Sequence, residues 1–306
     1  MNTKIVNGTI ACAGVLLAVA SGPAAADRDY RESLDAAPDG VVEIGNVAGD
    51  IEIRGTDGTV VEVVGRLGDD VEEVIFERDG DVITLRVEVR GNGGGWGSGW
   101  GGNDGSADLE IRLPRMSDVR VEAVSSDVVV RDVDGRLDVE SVSGDIEIES
   151  GASAVDVTTM SGEVRFEGSG QVADVTLASV SGDVVASDLA GEVHMSSVSG
   201  EVELDLGEVS RLRAQSTSGD LSARATLLPG ARVEMETVSG SAELSIRGDR
   251  DGDYSLSTFS GDLDNCFGPE PERRRFSPGR SVKFREGSGD RDVHLSSMSG
   301  SIRLCD

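Results

Sequence analysis

The sequence predicts an all-β chain wound as a right-handed parallel β-helix, a β-solenoid of about 19–20 residues per coil. Three observations predict it: a four-residue motif that returns at a nearly fixed interval, apolar residues that alternate with polar ones on either side of it, and the absence of helical spacing. The motif is Val-Ser-Gly-Asp at 142–145. It returns as Met-Ser-Gly-Glu (160–163), Val-Ser-Gly-Asp (180–183), Val-Ser-Gly-Glu (198–201), Thr-Ser-Gly-Asp (217–220), Val-Ser-Gly-Ser (238–241), Phe-Ser-Gly-Asp (259–262) and Met-Ser-Gly-Ser (298–301). Successive glycines are 18, 20, 18, 19, 21, 21 and 39 residues apart. Val124-Ser125-Ser126-Asp127 is a degenerate earlier copy, and Val47-Ala48-Gly49-Asp50 an outlying relative.

Each unit carries two short alternating runs, Ile146/Ile148 or Val202/Leu204 just after the glycine and Leu137/Val139 or Val193/Met195 about ten residues away. Period-two alternation means strands with one face buried. An antiparallel meander would need hairpin geometry at every Ser-Gly. A coil that winds forward instead places each copy of a position about 4.8 Å above the last, which explains why one residue type recurs at one register. Glycine then supplies a positive φ at the turn, and the following carboxylate can satisfy turn amides. Right-handedness follows from strand twist and the crossover rule. Nine turns, from 126 to 300, make a rod of roughly 43 Å.

The 39-residue step is read as one coil with an insertion at about 268–286, because Pro269, Pro271 and Pro278 cannot donate ladder hydrogen bonds in an inner coil. Residues 27–122 are read as irregular N-terminal strands at 41–44, 50–54, 59–64, 81–90 and 107–113 that begin the same single domain, 27–306; 123–306 holds the regular repeats. A glycine-rich loop at 91–105 interrupts the N-terminal part.

Residues 1–26 read as a secretory signal: Lys4, an apolar stretch from Ile10 to Ala20, and Ala24-Ala25-Ala26 before Asp27. The competing signal, lipid modification at Cys12, has Thr9 where an aliphatic residue is usual. The apolar run is short of the roughly 20 residues a membrane span needs, and no other segment approaches it. The expected location is therefore outside the cytoplasm: periplasmic, cell-surface or secreted. Removing 26 of 306 residues leaves 280, with 27 basic and 57 acidic side chains, a net charge of −30. That field repels phosphate backbones, so nucleic acid is not an expected partner. Calcium is the only cofactor the acidity suggests, and neither an EF-hand loop nor a G-G-x-G-x-D array is present.

The φ-Ser-Gly-Asp/Glu-φ-x-φ array behind a signal peptide resembles the bacterial β-strand-repeat putative adhesin family, also called the toastrack domain. The resemblance covers most of the chain after the signal and implies a right-handed β-helical fold, an extracytoplasmic setting, and adhesion or envelope-stress sensing as roles. It brings no catalytic residues.

Catalysis finds little support in the residues themselves. Carboxylate pairs recur at every coil, so their proximity is uninformative. His194 and His294 share one register, each at an outward position several coils from the other. Aromatic residues make up 3% of the chain, few for sugar stacking. The expected function is a non-enzymatic binding module that meets an envelope component or an extracellular surface. A polysaccharide-active β-helix enzyme and an envelope-stress sensor or accessory subunit are the alternatives.

Partner contacts are expected in the insertions, since coils of repeated acidic surface offer few distinctive anchors. The candidates are Trp96 and Trp100 in the glycine loop and Arg273, Arg274 and Arg275 in the proline-rich insertion, where six basic residues face Glu270 and Glu272 between 269 and 285. Cys266 and Cys305 each lie five residues after a turn glycine, which predicts that they stack in adjacent coils and form a disulfide.

Overall fold

The computed structural model describes residues 28–90, 105–273 and 279–306. The signal segment, both tryptophans, Arg274 and Arg275 lie outside them.

Six strands open the chain: β1 (Arg28–Asp35), β2 (Val41–Thr56), β3 (Val60–Leu67), β4 (Val71–Asp79), β5 (Val82–Val89) and β6 (Ala107–Pro114). The regular part continues with β7 (Asp118–Arg131), β8 (Leu137–Ser143), β9 (Ile146–Ser150), β10 (Ala154–Ser161), β11 (Val164–Gly168), β12 (Val172–Ser181), β13 (Val184–Ser199), β14 (Val202–Ser218) and β15 (Leu221–Ser239). The chain closes with β16 (Ala242–Arg247), β17 (Gly252–Ser260), β18 (Leu263–Asn265), β19 (Glu272–Arg273), β20 (Arg280–Glu286), β21 (Asp292–Ser299) and β22 (Ile302–Cys305). Among the described residues there is no helix, and so none long and apolar enough to cross a membrane.

The coils stack in parallel through two walls. One wall runs β2, β7, β8, β10, β12, β13, β14, β15. The other passes through β2, β7, β9, β11, β13, β14, β15, β16. Long strands such as β13 and β14 serve both walls by bending at the corner between them. The alternating residues point inward as the pattern requires: Val139, Val157, Leu177, Ala214 and Met235 form one internal file, and Ile148, Phe166, Ala186 and Leu204 another. Each fully buried aliphatic side chain is worth roughly 1.5–3 kcal/mol of transfer free energy, so the stack of files supplies the main cohesion.

The relationship of the Val47 and Val124 copies to the later motif holds in space. Gly49 lies beside Ser126 and Asp50 beside Asp127 in register.

The order of the coils is where structure and sequence part. The turn glycines do not stack in chain order at the C-terminal end, because β21 lies between β15 and β17, and β22 between β16 and β18. The last coil is thus slotted in beneath the one that precedes it in sequence. Its entry is pinned by Arg291, which is buried and donates through Nε to the Leu227 carbonyl (2.9 Å) and through a terminal nitrogen to the Asp251 carbonyl (3.0 Å). The N-terminal end shows the same inversion, since β2 lies between β7 and the outer coil made by β5 and β6.

Both ends are finished with antiparallel strands. β3 pairs with β6 and β1 with β3, β4 with β5, and at the far end β20 with β17 and β19 with β20. An open parallel coil would present an unpaired ladder to other chains, and these strands cover it. Strands β1 and β4 have no counterpart among the segments the sequence marks out as strands, because their mostly exposed and half-buried residues lack a clean alternation. Strand β20 occupies the proline-flanked segment read as an insertion, and it pairs outside the parallel stack.

Candidate functional site

The Ser-Gly corner is built from backbone that comes very close from coil to coil. A Cβ on Gly162 would lie 2.1 Å from the Gly144 carbonyl oxygen, and one on Gly200 would lie 2.2 Å from that of Gly182. Gly144, Gly162 and Gly200 also hold φ between 114° and 117°, which L side chains rarely adopt. The serine before the glycine ties the corner to the coil below: Ser143, Ser161 and Ser199 hydroxyls donate to the carbonyls of Val124, Val142 and Val180. The carboxylate after the glycine accepts the amide above it. Asp127 receives the Asp145 N–H, Asp145 that of Glu163, and Asp183 that of Glu201, each at 2.8 Å.

With the corner so constrained, the first residue of the motif has nowhere to go but outward. Val124, Val142, Met160, Val180, Val198, Val238, Met298 and Phe259 are 45–61% exposed, and register places them one above another in that order, with exposed Thr217 between Val198 and Val238. They account for eight of the ten exposed large hydrophobic side chains among the described residues; only Val60 and Met116 lie elsewhere. Soluble surfaces scatter such residues singly, so a contiguous line of them is a candidate contact surface.

Immediately inward of this ladder runs a file of buried hydroxyls, Ser141, Thr159, Ser179, Ser197, Ser216, Thr237, Ser297 and Thr258. Most of them donate to corner carbonyls, as Ser141 does to Ser143, Thr159 to Ser161 and Thr258 to Gly300.

Three clefts open along the ladder, on its β8–β10–β12 side. One, of about 430 Å³, is lined by Val47, Val124, Val142 and Met160 with Glu122 and Glu140. A second, about 480 Å³, lies at the Thr217 gap between Ser196, Gln215, Glu236 and Val238. The third, about 470 Å³, is formed by Phe259, Met298, Ser257, Ser296 and Arg280, whose guanidinium pairs with Asp262 at 3.0 Å. The three clefts together form a shallow, discontinuous axial groove with an apolar wall and a floor of small and polar residues; Val180 and Val198 stand on the ladder between the first two clefts.

On the other side of the ladder, three residues further round the corner, stands a row of carboxylates: Asp127, Asp145, Glu163, Asp183, Glu201 and Asp220. The row continues through Asp50 to Asp108, which accepts the Asp50 amide. Partial loss of solvation, reinforced by repulsion from Asp108 and Asp127, raises the carboxyl of the exposed Asp50 above its ordinary value. Like charges a coil apart therefore feel one another.

The exposed ladder adds a candidate contact surface on the coils to the insertions that the sequence singles out. The sequence already contained the signal, a hydrophobic residue at the head of nearly every motif. Alternation alone does not reveal which apolar residue a corner turns outward.

Of the sequence candidates, Trp96, Trp100, Arg274 and Arg275 fall outside the described residues, and Arg273 ends the short strand β19 beside β20. The glycine loop leaves from the chain at Arg90, whose amide donates to the Asp70 carbonyl (2.8 Å), and returns at Gly105. His194 and His294 occupy one outward file, separated by Arg213 and Glu234. Among the described residues no three His, Cys, Asp or Glu side chains are grouped to hold a metal ion, calcium included.

Cys266 and Cys305 are joined in a disulfide with Cα atoms 5.0 Å apart, fastening the end of the slotted coil to the coil outside it. Beside them Tyr254 stacks on Phe284 (centroids 4.8 Å) and meets Phe267 edge-on. Burial pushes the Tyr254 hydroxyl up to about 12, and that hydroxyl donates to the Arg250 carbonyl.

A family model described as Toastrack DUF4097 matches residues 42–304. No curated protein matches the chain. Among solved structures, a putative adhesin from Bacteroides fragilis NCTC 9343 is similar at 13% identity and a TM-score of 0.47, covering 90% of this chain and 97% of its own. A putative adhesin from Parabacteroides merdae ATCC 43184 is 9% identical with a TM-score of 0.38, covering 90% and 96%. A putative lipid binding protein from Parabacteroides distasonis ATCC 8503 is 12% identical with a TM-score of 0.34 over the same shares.

Proposed function

The chain belongs to the Toastrack DUF4097 family, and from that premise we propose that it is an exported, non-enzymatic binding module that attaches to an envelope component or an extracellular surface, as an adhesin does. The observation that carries this reading is the axial line of exposed apolar side chains from Val124 to Phe259. A fold that can bury aliphatic residues in two internal files has no structural need for a third file in water. The non-enzymatic reading is supported by the same corner, where most hydroxyls donate to corner carbonyls, the aspartates after the glycine accept turn amides, and the two histidines lie on another file.

Export through the signal at residues 1–26 places the module outside the cytoplasm in this proposal. Trp96, Trp100, Arg273, Arg274 and Arg275 are proposed as additional partner contacts; the tryptophan loop is rooted next to β5, whose Val87 lines the N-terminal cleft.

Purified wild-type protein and a Val142→Ser/Met160→Ser/Val180→Ser/Val198→Ser variant would be incubated with cells and envelope fractions of the producing bacterium. Wild type is expected to sediment with them, and the variant to remain in the supernatant with an unchanged β-type circular dichroism spectrum. Equal sedimentation of the two would refute attachment through the groove.

A further inference from the structure

We propose that the groove's partner is a basic amphipathic α-helix, laid along the rod with its apolar seam on the ladder and its Lys or Arg residues on the carboxylate row. This rests on the binding-module reading and names the chemistry of its partner.

Charge selects among the possible occupants. The ladder is bordered on one side by Asp127, Asp145, Glu163, Asp183, Glu201 and Asp220, one per coil, and on the other by Glu122, Glu140 and Glu236 in the clefts. A second copy of this chain would bring an identical carboxylate row against the first, in a protein whose net charge is −29. An anionic lipid surface would be repelled in the same way. A seam flanked by cations is attracted along the coils from Val124 to Thr217, which carry the row; beside Val238 and Met298 its place is taken by Ser241 and Ser301.

Spacing then selects the secondary structure. The ladder repeats at the strand spacing of about 4.8 Å. Side chains on one face of a helix recur every turn, about 5.4 Å, so a helix drifts by about 0.6 Å per coil and keeps pace over several coils. Side chains on one face of an extended strand recur at roughly 6.6–6.8 Å, and lose register within two or three coils. From Val124 to Phe259 the ladder takes eight coil steps, roughly 38 Å, which a helix of about 25 residues would span while slipping by about one ladder position in all. Helices that dock by an i, i+3, i+4, i+7 seam use grooves of this kind, and methionines such as Met160 and Met298 adapt to variable seams.

The test uses the exported full chain and three synthetic peptides of about 25 residues: a helix with a leucine seam flanked by lysine, the same helix with glutamate for lysine, and an alternating Leu/Lys strand peptide. Binding is followed by fluorescence anisotropy at low and high salt, with the protein's mass measured by light scattering at the same concentrations. The lysine helix is expected to bind one to one, at least tenfold tighter than either control, and to weaken as salt rises. A Met160→Ser/Val180→Ser/Val198→Ser variant should raise Kd at least tenfold at both salt concentrations. A Glu163→Gln/Asp183→Asn/Glu201→Gln variant retains an oxygen acceptor at position 183 for the Glu201 amide; it should raise Kd mainly at low salt and flatten the salt dependence.

The proposal is overturned if the glutamate helix or the strand peptide binds as tightly, if neither variant changes Kd, or if the protein dimerises through the ladder and excludes the helix. Failure here with serine variants that still lose envelope attachment would remove the helical partner and leave the binding-module reading standing.

Discussion

Replacing Gly162 by alanine should destabilise the solenoid through two costs that neighbouring glycines allow to be measured separately. Gly162 has φ 114°, and its added Cβ would lie 2.1 Å from the Gly144 oxygen and 2.8 Å from the Gly144 carbonyl carbon. The conformational part costs about 1–2 kcal/mol for an L residue. The steric part needs the corners to separate by roughly 1 Å out of a 4.8 Å spacing. Hydrogen bonds from Ile146 N to Glu163 O and from Glu163 N to Asp145 Oδ1, both 2.8 Å, resist that separation. Overpacking of this kind costs about 1–3 kcal/mol, so Gly162→Ala should lose roughly 2–5 kcal/mol in all.

Gly170 has φ 73° and nothing within 4 Å of the added Cβ, so Gly170→Ala should show the conformational cost alone. Gly219 lies outside the positive-φ set, yet its Cβ would meet the Gly200 oxygen at 2.1 Å, so Gly219→Ala should show the steric cost alone. Urea unfolding followed by β-sheet circular dichroism would rank the three. If Gly162→Ala is no worse than Gly170→Ala, or Gly219→Ala is neutral, the close stacking of the corner is not what demands glycine.

Two further outcomes are expected. Denatured, unreduced protein should titrate no free thiol at Cys266 and Cys305, and Cys305→Ser should lose about 4 kcal/mol by the chain-entropy estimate for a 39-residue separation; two reactive thiols would show that the bond does not form. For Asp50 the folded-state carboxyl is raised, so its destabilising charge develops as pH rises through that value and is absent below the ordinary aspartate range near 4. Asp50→Asn should therefore raise the melting temperature at pH 7 and low salt, with the difference vanishing at pH 3 and shrinking in high salt, and a constant difference across pH would exclude repulsion along the carboxylate row.

Much of the wall structure was legible because the interactions that make it are local and repeated. Leu137/Val139 and Ile146/Ile148 alternate within five residues, and the same alternation one period later fixes which side faces in and which position it stacks on. The groove was harder to see. Val142 and Ile146 are both aliphatic and only four residues apart, yet one is 46% exposed and the other buried. The difference arises at Gly144, where the turn rotates the chain from one wall to the next, and no count of apolar residues records that rotation. The capping strands β1 and β4 were missed for the opposite reason: they cover ladder ends rather than bury a face, so their sequences carry no strong period.

The sequence by itself determined the period, the inward files and the corner chemistry, since each is written into every repeat. Only the tertiary structure decided the order of the coils. Val233, Val293 and Tyr254 occupy one inward position in three consecutive layers, and any order of those layers would satisfy the alternation. What breaks the degeneracy is non-local: the buried Arg291 anchoring the last coil to Leu227, the Cys266–Cys305 bond, and the antiparallel pairing of β20 with β17, which closes one edge of β17 and leaves the other to the C-terminal strand.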